Sequence, residues 1–168
     1  MITDSGVRKE FESGAVRDIK EGKGRCDLLP LSVIERLLGW NYSSSSILQD
    51  LEKFQKTADT NFLYNVACKF IDERYGDRTK AVLELSVHYE EGANKYTPWN
   101  WTKGIPLTSF IDSAVRHYLK WLAGMQDESH DRAFLWNIVG AIWTTNNRLD
   151  LVQVLNYSEG YQYIEEIE

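Results

Sequence analysis

Glu84, His88, Glu91 and Lys95 are spaced by four, three and four residues, which on a helix sets all four side chains on one face. Carboxylates one or two turns apart can share Mg²⁺, a hard ion that prefers oxygen donors. An imidazole among them can take a proton from water, and an ammonium at the helix end can meet a phosphate. The same spacing suits a solvated face laced with salt bridges, and spacing alone does not choose between the two. Shortly after Lys95 and Tyr96 come Trp99, Asn100 and Trp101, an aromatic and amide cluster in a loop, where binding residues concentrate.

A second group lies further on. His117 follows Arg116, and His130 sits in the run Asp127-Glu128-Ser129-His130-Asp131. A histidine followed later by a His-Asp pair echoes the HD-type metal phosphohydrolases. A satisfied interior histidine and a helix cap from Ser129 or Asp131 would account for the same residues. Asn137 stands between Trp136 and Ile138, where an amide costs free energy unless something hydrogen-bonds it. A backbone carbonyl, a nucleobase edge or a metal-bound water would each serve.

Helices must position these groups. Pro30 opens a short amphipathic helix with Leu31, Ile34, Leu37 and Leu38 that stops at Gly39. Serines in the break 41–46 cap a second helix marked by Ile47, Leu48, Leu51 and Phe54. A third, capped near Asp59, spans 61–75, and a fourth spans 79–96 and carries the polar stripe. Residues 98–106 form a loop, and helices follow over 108–123 and 131–146. No alternating β pattern is evident. The reading is all-α, a compact bundle of five to six helices over residues 28–155, with an extended arm at 1–27 and a tail at 156–168. In the arm, Arg17, Lys23 and Arg25 either fold over a phosphate or trail in solvent.

The totals exclude some classes. A chain of 168 residues can bury a core without staples. Two distant cysteines and a start with no basic-then-apolar leader point to a reducing cytoplasm. The apolar runs 134–136 and 138–143 are too short to cross a bilayer. A net charge of −6 argues against a nucleic-acid polymer as partner, but two or three local cations suffice for a mononucleotide. Six tryptophans and nine tyrosines supply flat surfaces for a core, for a base, or for a homo-oligomer interface.

Several of these residues match one pattern in order: Glu91-Gly92-Ala93-Asn94-Lys95-Tyr96, Asn100-Trp101-Thr102-Lys103-Gly104-Ile105-Pro106, Arg116-His117, and His130 with Trp136-Asn137. The chain resembles the phage and prophage dATP/dGTP diphosphohydrolase family, N-terminal domain, along most of its length, with 41–77 looking like an insertion relative to short members. The resemblance implies a helical, Mg²⁺-dependent hydrolase, similar in idea to MazG-like enzymes, that cleaves a purine deoxynucleoside triphosphate to monophosphate and pyrophosphate. On that reading Glu84, Glu91 and Asp131 hold Mg²⁺, Glu91, His88 and His117 serve catalysis, and Lys95, Tyr96, Asn100, Trp101, Arg116, His130 and Asn137 bind the nucleotide. The family's last helix reads His-x-x-His-Ala-x-Trp-Asn, and at its second histidine this chain has Ala133. That departure supports a rival: a non-catalytic sponge that sequesters a nucleotide, such as a signalling nucleotide made by a bacterial host in antiphage defence.

Overall fold

Six helices form where the caps and apolar periods place them. The computed structural model describes residues 8–10, 16–18, 25–152, 155–156 and 162–163. Helix α1 runs Leu31–Leu38 and buries Val33, Ile34 and Leu37. Helix α2, Ile47–Thr57, begins with a reciprocal capping box between Ser46 and Gln49, which satisfies two of the donors left over at a helix start. Asp59 caps α3, Thr60–Arg74, by accepting from the Asn61 amide at 2.9 Å. Asp77 caps α4, Arg78–Lys95, through the Lys80 amide at 2.8 Å. Helices α5, Leu107–Leu122, and α6, His130–Asn147, complete the set.

Helix α6 is the centre of the molecule. Phe134, Leu135, Ile138, Val139, Ala141 and Ile142 are fully buried along it, and it packs on α5, α3 and α4. Gly140 makes the α5 contact possible, because a Cβ there would stand 2.4 Å from Phe110 Cε1. Residues 41–77 contribute α2 and α3 to this same core, with Phe54, Leu63, Val66, Phe70 and Ile71 buried. Between α2 and α3, Asp50 is completely buried and pairs with Lys69, and Ser45 Oγ donates to its other oxygen at 2.6 Å.

Two short antiparallel ladders lie outside the bundle. Strands β1, Arg8–Glu10, and β2, Val16–Asp18, pair within the expected arm. Strands β3, Leu155–Asn156, and β4, Gln162–Tyr163, pair near the chain end. Ladders of two or three residues are too short to leave an alternating apolar signature, so the sequence reading passed over them. The rest of the arm up to 24, Lys23 included, and most of the 156–168 tail lie outside the described residues. Where the description resumes, the Arg25 amide donates to Ser86 O at 2.9 Å and Leu28 is buried, so the end of the arm is tied to α4. The Arg25 guanidinium meets Asp27 through two contacts of 2.7 Å.

Candidate functional site

The end of α4, the following loop, and the facing sides of α5 and α6 enclose a cavity of about 620 Å³. The backbone builds its rim. Trp99 adopts a left-handed conformation with φ of 63°, Asn100–Lys103 form one 3₁₀ turn, and Gly104 follows at φ 118°. A bulky residue at positive φ is uncommon and costs conformational free energy. Here it helps form a loop that presents Trp99, half-exposed, and Trp101, buried, to one hollow. Trp101 packs edge-on against Tyr89 and Trp143, with ring centres 5.8 and 4.8 Å away.

Most of the residues singled out in the sequence meet in this cavity: His88, Glu91, Lys95, Tyr96, Asn100, Trp101, His117 and Asn137 all line it. Lys95 lies over the Tyr96 ring at 5.3 Å. Asn137 uses its amide nitrogen on the Ala133 carbonyl one turn back, at 2.8 Å, so its NH₂ group is already partnered within α6. Three of the lining residues carry a buried polar atom with no hydrogen-bond partner among the described residues: His88 Nδ1, Tyr89 Oη and Trp101 Nε1. Buried polar groups are nearly always paired with protein, water or ligand. Three such atoms belong to residues around this one hollow, and a fourth, Tyr75 Oη, belongs to the neighbouring depression.

The charges are arranged unevenly. Glu91 Oε1 accepts from Arg132 Nη2 at 3.0 Å, and its other oxygen stands 3.7 Å from His88 Nδ1, beyond hydrogen-bonding distance. Burial holds the His88 imidazole below its ordinary pKa, against the opposing pull of the Glu91 carboxylate. His117 is lowered for the same first reason, with Glu128 opposing. Both rings are thus kept as neutral bases near pH 7.

The remaining residues fall elsewhere. Glu84 and Asp131 line a separate depression with Arg74, Tyr75, Lys80, Ser129 and Arg132, and Asp131 Oδ2 accepts from Arg74 Nε at 2.8 Å. Glu84, Glu91 and Asp131 therefore do not converge on one point. Arg116 is exposed and holds Asp112 Oδ2 at 2.6 Å and Ser113 Oγ at 2.9 Å, outside the cavity lining. His130 is buried behind the wall, with Nδ1 3.1 Å from His117 Nδ1 and Nε2 2.7 Å from Asp127 Oδ1. Ser129 stands at the start of α6 but makes no side-chain cap, its hydroxyl accepting from Arg132 instead.

Sequence reasoning assigned no role to Glu128, Arg132 or the Tyr89 hydroxyl. Glu128 read as one member of an acidic run, and Tyr89 as part of the apolar stripe of α4. The meeting of α4 with α6 reveals Tyr89, and that of α5 with the start of α6 reveals Glu128. A family model described as dATP/dGTP diphosphohydrolase, N-terminal, matches residues 66–152, just over half of the chain and nearly all of the cavity lining. Neither the curated proteins nor the solved structures contain a match.

Proposed function

We propose, from the premise that this chain belongs to the dATP/dGTP diphosphohydrolase N-terminal family, that its cavity binds a purine deoxynucleoside triphosphate and hydrolyses it to the monophosphate and pyrophosphate. The observation that carries this is the set of unpartnered buried atoms, His88 Nδ1, Tyr89 Oη and Trp101 Nε1, around one hollow within the family match. A volume near 620 Å³ suits a ligand of nucleotide size. Trp99, Trp101 and Tyr96 offer ring faces for a base, and Asn100 an amide for its edge. Lys95, exposed at the rim, offers charge to phosphate.

Hydrolysis adds water at the α-phosphorus and breaks its bond to the bridging oxygen, releasing pyrophosphate. His88, neutral and partly buried, is suited to take the proton lost by that water. Mg²⁺, which the family implies, takes one or two carboxylates together with substrate phosphates. Glu91 and Glu128 both line the cavity and fit that requirement, whereas Glu84 and Asp131 face the other depression. When bound, the ion would offset phosphate charge. Arg132, held on Glu91, fixes the direction of that carboxylate.

Ala133 lines the cavity where the family pattern carries a histidine, and this favours a second reading, capture of a nucleotide without cleavage. One experiment separates the two. The protein is incubated with dATP, dGTP, ATP, GTP and cyclic nucleotides, with and without Mg²⁺, and the products are chromatographed. Metal-dependent pyrophosphate and deoxynucleoside monophosphate are expected, and Glu91→Gln should abolish them with helical content unchanged. Intact nucleotide recovered from denatured complex would establish the sponge instead.

A further inference from the structure

At the cavity wall, three potential ligand atoms converge: His117 Nδ1 and His130 Nδ1 are 3.1 Å apart, and Glu128 Oε1 is 3.4 Å from each. Among the described residues this is the group of His, Cys, Asp or Glu side chains close enough to share one ion. A tetrahedral ion bound at about 2.1 Å separates neighbouring ligand atoms by about 3.4 Å, so the triangle already has the dimensions of three corners of such a site. His130 is 1 % exposed at its side chain, which makes this a built position and not a chance meeting on the surface.

The hydrogen bonding around the triangle favours the same result. Asp127 Oδ1 lies 2.7 Å from His130 Nε2, and a carboxylate can only accept, so the proton of the neutral ring sits on Nε2. That leaves the Nδ1 lone pair facing His117 and Glu128. A carboxylate behind a histidine, fixing its tautomer and orientation, is the usual support of a metal-ligating imidazole. Lys120 Nζ in turn holds Asp127 Oδ2 at 3.0 Å.

We propose that His117, His130 and Glu128 form a three-ligand site for a divalent transition ion of the zinc class, with a fourth position open to solvent. Two imidazole nitrogens and one carboxylate oxygen suit Zn²⁺, and Mg²⁺ selects against imidazole. His117 and Glu128 line the main cavity, and Glu128 and His130 line the neighbouring hollow, so the site lies where the two meet. It shares Glu128 with the carboxylate pair discussed for Mg²⁺ and differs in taking two nitrogen donors, one from α5 and one from α6. It does not depend on the nucleotide reading.

The test uses the full chain stripped with a chelator and no nucleotide present, so its failure leaves the proposed hydrolysis untouched. Titration with Co²⁺ should bind one equivalent and give the intense visible bands of four-coordinate cobalt, which stoichiometric Zn²⁺ removes and excess Mg²⁺ does not. Glu128→Ala, at an exposed side chain, should weaken binding by more than about tenfold with unchanged far-ultraviolet circular dichroism, and Asp127→Asn by about 10- to 100-fold. His117→Ala should abolish the bands. Absence of stoichiometric binding, the weak spectrum of six-coordinate cobalt, or undiminished binding by Glu128→Ala would overturn the site.

Discussion

Cys26 and Cys68 differ in reactivity for reasons visible around each sulfur. Cys26 is exposed. Cys68 is wholly buried in α3, donates to Leu37 O at 3.6 Å, and burial pushes its thiol up to about 11. Since the thiolate is the reactive form, a disulfide exchange reagent near pH 8 should titrate one thiol per folded chain rapidly and the second only after denaturant is added. Two fast thiols would show that α3 opens readily. Side-chain identity and spacing singled out eight of the residues that line the cavity, because an aromatic cluster after a helix and an amide in an apolar run are anomalies visible in one dimension. Other features were not visible there. Glu84 and Glu91 share a face of α4 but stand about 10 Å apart along it, and Arg132 and Arg74 reach across from other elements to hold Glu91 and Asp131. A partner 41 or 57 residues away leaves no trace in local spacing.

Helix limits were legible because their causes are local. Ser46, Asp59, and Gly76 after Tyr75 are capping and stopping chemistry that acts within a turn, and the helices begin and end within a residue or so of the spans read from periodicity. Gly140 is the instructive exception. In sequence it only interrupts an apolar run, whereas in the fold it is where α5 presses Phe110 onto α6. Gly140→Ala should therefore destabilise the protein by about 1–3 kcal/mol, the usual cost of overpacking a filled core, as read by denaturant unfolding. Pairing it with Phe110→Leu should recover part of the loss. The link between α2 and α3 depends on charge instead. Asp50→Ala leaves Lys69 largely buried with its main anionic partner gone, and should cost about 3–5 kcal/mol. Asp50→Asn, which keeps the hydrogen bond from Ser45, should cost less.

At the scale of the whole molecule, the cavity lies at the junction of α4, α5 and α6, so the surfaces that stabilise the bundle also shape the site. Phe110 and Tyr89 each contact Trp136 with ring centres 5.5 and 6.2 Å apart, and Trp136 is itself a lining residue. Among the described residues no helix is long and apolar enough to cross a membrane. Four of the six indoles, Trp99, Trp101, Trp136 and Trp143, gather at or just behind the cavity, while Trp40 stacks on Tyr64 and Trp121 sits against Phe70. The protein therefore carries its own optical reporter. Trp99 and Trp101 lie 6.1 Å apart, and Trp101 and Trp143 4.8 Å, close enough for their transitions to couple, so any guest that enters should alter both the intrinsic emission and the near-ultraviolet dichroism without a label.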